Sequence, residues 1–437
     1  MGSRRTFLST SGKIVAGATM FSTLPWDVIA KSKSKVSQND KINLGVIGIN
    51  GMGWANTKSM IKIPEINLMA ICDVDENVIQ KRVAELKEGG ITVTTYTDHR
   101  QLLDNKDIDV VIIGSPDHWH CLHMVDACAA GKDVYVEKPV GNSIVECNTM
   151  VAAQKKYNRA VQAGQWQRSM PHFVDALAFL RTGQLGMVRT VKTWAYIGWV
   201  KEIPTKPDSP VPTGVNYDRW LGPAPKRPFN VNRFHFNFRW FWDYAGGLMT
   251  DWGVHLIDYA LLGMEAPLPK SVYASGGKYA YPNGGNETPD TLATTFDFGN
   301  FTMIWEHAHG IGKGNYNREH GIAFIGNNGT LVLDRNGWEV IADADKMQSL
   351  VLQPNKGSGL DAHTQNFVNV VKSRKLEELT CPITAGAHVA KVCQMGNISY
   401  KTGKIVHWNE PKGKFLEADA NKYLAAQYYN GYSIPKI

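Results

Sequence analysis

Cysteine is scarce in this chain and follows no pairing pattern: Cys72, Cys121, Cys128, Cys147, Cys381 and Cys393 include no CxxC spacing, and most lie within apolar runs. A cysteine metal set is therefore not expected, and buried free thiols are. The helix-borne zinc signature HExxH is also missing. No period recurs, which excludes a repeat array. Charge of one sign is lacking as well. The net charge is +7, but five of the 47 Lys and Arg lie between Arg4 and Lys33 and the rest are interspersed with acids. No nucleic-acid surface follows from that balance. What the chain does have is length and aromatic density. Its 437 residues suffice for two domains of ordinary size. Its 13 tryptophans cluster between Trp194 and Trp252, which points to a lined cavity or a carbohydrate platform.

The N-terminus reads as an address. Ser3-Arg4-Arg5-Thr6-Phe7-Leu8 has the pattern of a twin-arginine signal, and Val28-Ile29-Ala30 offers small residues for cleavage after Ala30. The apolar stretch 14–24 is interrupted by Gly17, Thr19, Ser22 and Thr23. It falls short of the roughly 20 apolar residues of a membrane span, so stable membrane insertion is not expected. No cysteine precedes Cys72 to carry a lipid. Residues 1–30 are thus read as a signal peptide handed to the twin-arginine export machinery, 31–40 as a linker, and the mature chain as periplasmic.

The first half carries a nucleotide-binding pattern. The apolar run 42–47 suits a buried parallel strand, and Gly48-Ile49-Asn50-Gly51-Met52-Gly53 ends it and opens a helix. Backbone N–H groups at such a helix start hold a pyrophosphate. Gly48 and Gly53 take the first and third places of GxGxxG; Asn50 stands in the middle place, so its side chain has to turn away from the phosphates. A second strand, 67–72, ends at Asp73, about 20 residues beyond the glycines, where an acid accepts the ribose hydroxyls. Asp75 adds charge there, so NAD is expected rather than NADP. Strands 109–114 and 133–136, separated by a helix over 120–130, extend a doubly wound sheet across residues 41–163.

Two motifs make a resemblance specific. Val134-Tyr135-Val136-Glu137-Lys138-Pro139, with Ser115-Pro116-Asp117-His118-Trp119-His120 after the preceding strand, closely resembles the Gfo/Idh/MocA oxidoreductases, the group of glucose-fructose oxidoreductase and inositol dehydrogenase. The resemblance spans nearly the whole mature chain. It implies that Lys138 lies beside the nicotinamide and the substrate hydroxyl, with Ser115, Pro116, His118, His120 and Glu137 at the cofactor. A helix-capping role is the alternative for either histidine. A lysine at the C-terminal edge of such a sheet can also stabilise a developing alkoxide.

The second motif is Gly246-Gly247-Leu248-Met249-Thr250-Asp251-Trp252-Gly253-Val254-His255-Leu256-Ile257-Asp258. By its spacing, Asp251, His255 and Asp258 share one helix face, capped by Thr250 and ended by Gly263, and the acid orients the imidazole for proton transfer. The family resemblance makes Asp251 and His255 the carbohydrate-facing catalytic residues. No metal site is expected. Arg168, with Trp166, stands where the family enters its substrate domain, either gripping a sugar hydroxyl or bracing the domains.

From 164 to 437 the rhythm changes to alternating segments at 188–197, 271–276, 291–298, 301–306 and 321–325, which read as a mostly antiparallel open sheet in an α+β domain. Its C-terminal segment is expected to return toward the Rossmann domain. A proline-rich excursion, 203–229, and an aromatic run, 234–244, precede the second motif. Arg239 and Trp242 are expected there at a sugar, since rings stack on sugar C–H faces and Arg reads hydroxyls. A hydrophobic latch is the alternative role for the run. His307, His309 and His320 are taken as core or surface. The resulting expectation is a periplasmic sugar oxidoreductase with captive NAD, assembled as a dimer or tetramer as the family implies. A redox-neutral NAD-dependent glycosidase and a non-catalytic sugar binder are the other readings.

Overall fold

Mostly apolar runs, most of them buried on both faces, build the first layer of the computed structural model, which describes residues 41–437; the expected signal peptide 1–30 and linker 31–40 lie outside the described residues. Strands β1 (Ile42–Ile47), β2 (Ile66–Cys72), β3 (Thr94–Tyr96), β4 (Val110–Ile113), β5 (Asp133–Val136) and β6 (Val161–Ala163) pair in parallel in the order β3-β2-β1-β4-β5-β6. The chain reverses its winding direction between β1 and β4, and ligands of a doubly wound sheet bind at the carboxyl edge beside that point. Helices must cover both faces of a parallel sheet. Part of this cover comes from late in the chain. Phe367, Val368 and Val370 of the helix Gly359–Ser373 pack with Leu44 and Tyr135, and Ile383, Ala387 and Ala390 of the helix Ile383–Thr402 pack with Val134, Val136 and Ala163.

The second sheet has ten strands: β7 (Val188–Ile197), β8 (Ser271–Gly277), β9 (Thr291–Asp297), β10 (Thr302–His309), β11 (His320–Gly326), β12 (Gly329–Asp334), β13 (Gly337–Ala342), β14 (Leu350–Pro354), β15 (Val406–Asn409) and β16 (Lys414–Phe415). Their order is β14-β13-β12-β11-β7-β10-β9-β8-β15-β16, antiparallel throughout except for β7 with β10. The fold is thus a Rossmann sheet joined to a mostly antiparallel open sheet. Alternation decides the faces: Leu292 and Phe296 of β9 turn inward to meet Trp305, Met249, Ile257 and Met395. The C-terminal segment lies on the Rossmann side, where the Tyr428 hydroxyl donates to Glu146 Oε1 at 2.6 Å. All six cysteines are buried free thiols. Among the described residues no helix is long and apolar enough to cross a membrane.

One expected helix is two. Gly247–Asp251 and Gly253–Met264 are separated at Trp252. Thr250 lies buried inside the first and its hydroxyl accepts the Gly246 N–H, so it caps nothing at a helix start. The second helix ends at left-handed Glu265, while Gly263 serves packing, since a Cβ there would stand 2.8 Å from the Phe324 ring. Asp258 turns to Arg168, which it binds in bidentate fashion at 2.7 Å on both oxygens. Arg168 follows β6, so this pair ties the edge of the first sheet to a helix beneath the second.

The Arg168 and Asp258 side chains are only 12% and 3% exposed. Removing one partner of a buried pair leaves the other charge uncompensated, at roughly 3–5 kcal/mol. Urea unfolding of Arg168→Ala is expected to show a loss of that size. A loss below about 1 kcal/mol, the range of exposed pairs, would contradict the bracing role.

Candidate active site

The turn after β1 is shaped by two glycines that admit no side chain. Gly48 has φ +82°, and a Cβ there would lie 2.6 Å from the Gly114 carbonyl carbon; a Cβ on Gly53 would lie 2.0 Å from Gly48 O. Gly53 therefore seats the helix Gly51–Met60 against the strand edge and does not line the cavity. Above Gly51 nothing comes within 4 Å of a Cβ position, which leaves a cradle at the helix N-terminus for an anion. Asn50 is unstrained at φ −107° and caps the helix, its Oδ1 accepting the Gly51 N–H at 3.0 Å and its Nδ2 reaching His235 Nδ1 at 3.3 Å. It has thus folded onto the helix end. The cradle and its acid fit a dinucleotide.

That acid is Asp73, whose Oδ2 accepts the Ile49 N–H at 3.0 Å and whose Oδ1 accepts the Asp75 N–H at 3.1 Å. Asp73 lines the cavity wall. Asp75 does not. It caps the helix Glu76–Glu88 through the Asn77 N–H and takes His235 Nε2 at 2.9 Å, so its charge is engaged by the second domain and not aimed at a ribose.

A cavity of ≈660 Å³ runs from Gly48, Gly51, Met52 and Asp73 to Trp166, Trp252 and Arg335. Lys138 stands at its middle, at the end of β5 and followed by a cis peptide to Pro139. Its Nζ donates to Asp251 Oδ1 at 2.6 Å and to the Asp251 carbonyl at 3.0 Å. The break in the helix falls at this residue: the Asp251 carbonyl accepts from Lys138, and the His255 N–H donates to Trp252 O at 3.0 Å rather than to Asp251 O.

Arg239 Nε also reaches Asp251 Oδ1, at 3.2 Å. Burial would raise the Asp251 carboxyl, but the Lys138 and Arg239 cations outweigh it and hold the pKa far below the ordinary range. The acid is therefore occupied by two cations and does not hydrogen-bond the imidazole, contrary to the pair expected from their spacing. Burial, helped by Lys138 and Arg335, holds His255 well below an ordinary histidine and hence neutral. Its Nδ1 is buried with no partner among the described residues, which leaves Nε2 to meet a substrate.

The other expected residues divide. Ser115, Pro116, His120, Glu137, Trp166 and Arg239 line the cavity. His120 bridges two carbonyls, Pro139 O and Ser115 O, both at 2.7 Å. Glu137 is held by Asn56 Nδ2 at 2.7 Å. His118 turns away from the cavity to Trp220 O at 3.0 Å, a packing role. Arg168 is consumed by Asp258. Trp242 lies elsewhere, its indole N–H on Glu287 O at 3.1 Å and Lys401 over its ring at 4.1 Å. His307 and His309 are buried in the second domain, and His320 packs at a tilt against Trp252, ring centroids 4.9 Å apart.

Sequence reasoning missed Asp117, Arg335, Trp252 and Tyr432, all of which line the cavity. Asp117 sits in the same motif as His118 and was readable there. Burial pushes its carboxyl up to about 8, against Lys138 and Arg239 and with Asp251 and Glu137 adding to the rise. Arg335 and Tyr432 belong to no local pattern.

Residues 42–165 match the family model for the oxidoreductase family NAD-binding Rossmann fold, and 187–433 that for the oxidoreductase family C-terminal alpha/beta domain. The uncharacterized oxidoreductase YrbE of Bacillus subtilis (strain 168) is 25% identical over 301 residues, 68% of this chain and 74% of that protein. A glycosyl hydrolase family 109 protein of Shewanella putrefaciens is 30% identical over 161 residues, which is 33% of this chain and only 35% of that protein. Levoglucosan dehydrogenase, solved with NADH and levoglucosan, shares the fold at TM-score 0.63 and 20% identity, covering 84% of this chain and 99% of that one.

The Asp117 shift gives a test in solution. A carboxyl raised in the folded state keeps its proton there, so its stabilising contribution is complete below the unfolded value of about 3.9 and is lost as pH rises toward about 8. Asp117→Asn stays neutral, so the thermal midpoint of the wild type should fall relative to the variant between about pH 4 and 8 and level off above. A pH-independent difference would contradict a protonated Asp117.

Proposed function

Because the chain belongs to the Gfo/Idh/MocA oxidoreductase family and carries its NAD-binding Rossmann domain, we propose that it is a periplasmic oxidoreductase that takes hydride from a ring hydroxyl carbon of a sugar or sugar derivative. The observation that supports this most is the meeting of Lys138 with Asp251 at 2.6 Å, beside His255, in the cavity whose other end is the glycine cradle. NAD, when bound, supplies the hydride acceptor.

Lys138 is held by the carboxylate and carbonyl of Asp251. From there it donates to the substrate hydroxyl and stabilises that oxygen as its proton leaves. His255, neutral through burial, takes the proton at Nε2. Asp251 positions Lys138 and keeps its negative charge against two cations. Trp166 and Trp252 line the substrate end of the cavity, and Asp73 favours NAD over NADP by accepting ribose hydroxyls.

The run Ser3-Arg4-Arg5-Thr6-Phe7-Leu8 supports export of the folded chain through the twin-arginine machinery, which lets NAD bound in the cytoplasm travel with it. The site must then pass hydride to a second substrate or return it to the same sugar. A homo-oligomer, dimer or tetramer, is the assembly proposed on family grounds. The likeness to a glycosyl hydrolase family 109 protein favours one second reading, a redox-neutral glycosidase working through a transient ketosugar. Product analysis separates the two: a ketosugar with a reduced acceptor supports the first, and a free aglycone without net redox change the second.

Protein purified without added cofactor should release NAD(H), and not NADP(H), on denaturation; empty protein would sink the captive-cofactor proposal. Lys138→Ala and His255→Ala should each slow single-turnover reduction of bound NAD by about 100-fold or more. Wild-type rates in fully loaded variants would show that the chemistry lies on other residues.

A further inference from the structure

The substrate end of the cavity holds one cation that the proposed chemistry does not use. Arg335 stands in the turn between β12 and β13, and its guanidinium lies 4.7 Å from the Trp166 ring and 4.5 Å from the Trp252 ring. Its Nε and Nη2 donate to Gln167 Oε1 at 3.3 and 3.0 Å. Two indoles and an amide therefore fix the plane of the group. Nη1 has no protein acceptor among the described residues, so the outer fork of the guanidinium opens to the cavity.

Other arginines at or near the cavity are paired with acids: Arg239 reaches Asp251 at 3.2 Å, Arg219 reaches Asp98 at 2.5 Å, and Arg318 reaches Asp334 at 3.1 Å; Arg100 instead lies over the Tyr432 ring at 5.9 Å. Among the described residues no carboxylate lies within ion-pairing distance of Arg335. Glutamine neutralises nothing, and a half-buried cation without a counter-ion is costly unless something supplies one. Burial pulls the Arg335 pKa down to about 10, with Asp251 and Glu319 opposing, so the group stays charged at neutral pH. Its place relative to the chemistry is also defined. The Trp166 ring that flanks it meets the His255 ring edge-on at 6.0 Å, so the cation sits one indole away from the proposed base.

We propose that Arg335 is a carboxylate receptor and that the substrate is an acidic sugar, a uronic acid or its glycoside, held by its carboxylate while a ring hydroxyl reaches Lys138 and His255. The proposal rests on the oxidoreductase reading of this site. The planar fork matches a carboxylate in two parallel bonds, and among the described residues no second free cation or cluster of N–H groups stands beside it for a larger anion.

The test is calorimetric binding to the NAD-loaded protein of methyl β-D-glucuronide, its methyl ester and methyl β-D-glucoside. The free acid should bind about 100-fold tighter than either neutral sugar, as for a buried charge pair. Arg335→Met should abolish that preference, so that the free acid binds no tighter than its methyl ester, and Arg335→Lys should restore part of it. Equal binding of the three sugars by the wild type, or a preference that survives Arg335→Met, would overturn the proposal. Turnover separates the two claims. Reduction of bound NAD by the glucoside, with no binding of the glucuronide, removes the acidic-sugar assignment and keeps the oxidoreductase reading. Tight, Arg335-dependent binding of the glucuronide without reduction of NAD by any of the three keeps the receptor and removes the redox reading.

Discussion

Lys138 makes two bonds to a single residue far away in sequence, and the site is assembled around them. One goes to the Asp251 carboxylate at 2.6 Å and the other to the Asp251 carbonyl at 3.0 Å. The first neutralises an ammonium buried at the end of β5. The second goes to a carbonyl at the break between two helices, where the backbone restarts at Gly253 and presents His255 from the first turn of the new helix. Burying such a pair costs several kcal/mol per ion before their attraction returns it. Its retention is better understood as positioning than as stabilisation: it sets where the first domain's sheet edge meets the second domain's helix.

The charge inventory follows from the same contact. Lys138 and Arg239 share one carboxylate, which keeps Asp251 ionised and frees it from any proton-transfer duty. Burial then makes the opposite choice at the two neighbouring groups, holding His255 neutral and Asp117 protonated up to about pH 8. A neutral imidazole beside a fixed ammonium is an arrangement for taking a proton from a hydroxyl whose oxygen is already stabilised. Arg335, without an acid of its own, adds positive potential to the far wall.

Much of this was readable from residue order alone, for physical reasons. Val110–Ile113 and residues 134–136 are buried apolar runs too short for helices, and Gly48 and Gly53 are imposed by close backbone contacts with each other and with Gly114. The misreadings are non-local. The face shared by Asp251, His255 and Asp258 assumed an unbroken helix, whereas the helix is interrupted at Trp252 and Asp251 is bound by Lys138, 113 positions away. Arg168 looked like a substrate residue until Asp258 claimed both ends of its guanidinium. Trp242 sits in an aromatic run of which Phe234, Phe236 and Phe238 line the cavity and Trp242 does not, and nothing in the run itself says which. The strand β14 escaped because residues such as Val351, 80% exposed, show no buried alternation. Arg335 reaches the cavity from a turn with no motif at all.

The central claim is that Lys138 and His255 act on one hydroxyl as a unit, which a double-mutant cycle on single-turnover hydride transfer tests most directly. The rate would be measured for wild type, Lys138→Ala, His255→Ala and the double variant, at matched NAD occupancy. Groups that serve the same proton lose most of their effect together, so the double variant should be little slower than the worse single one. A double variant slowed by the full product of the two single effects would mean that the residues act independently, and would contradict the account.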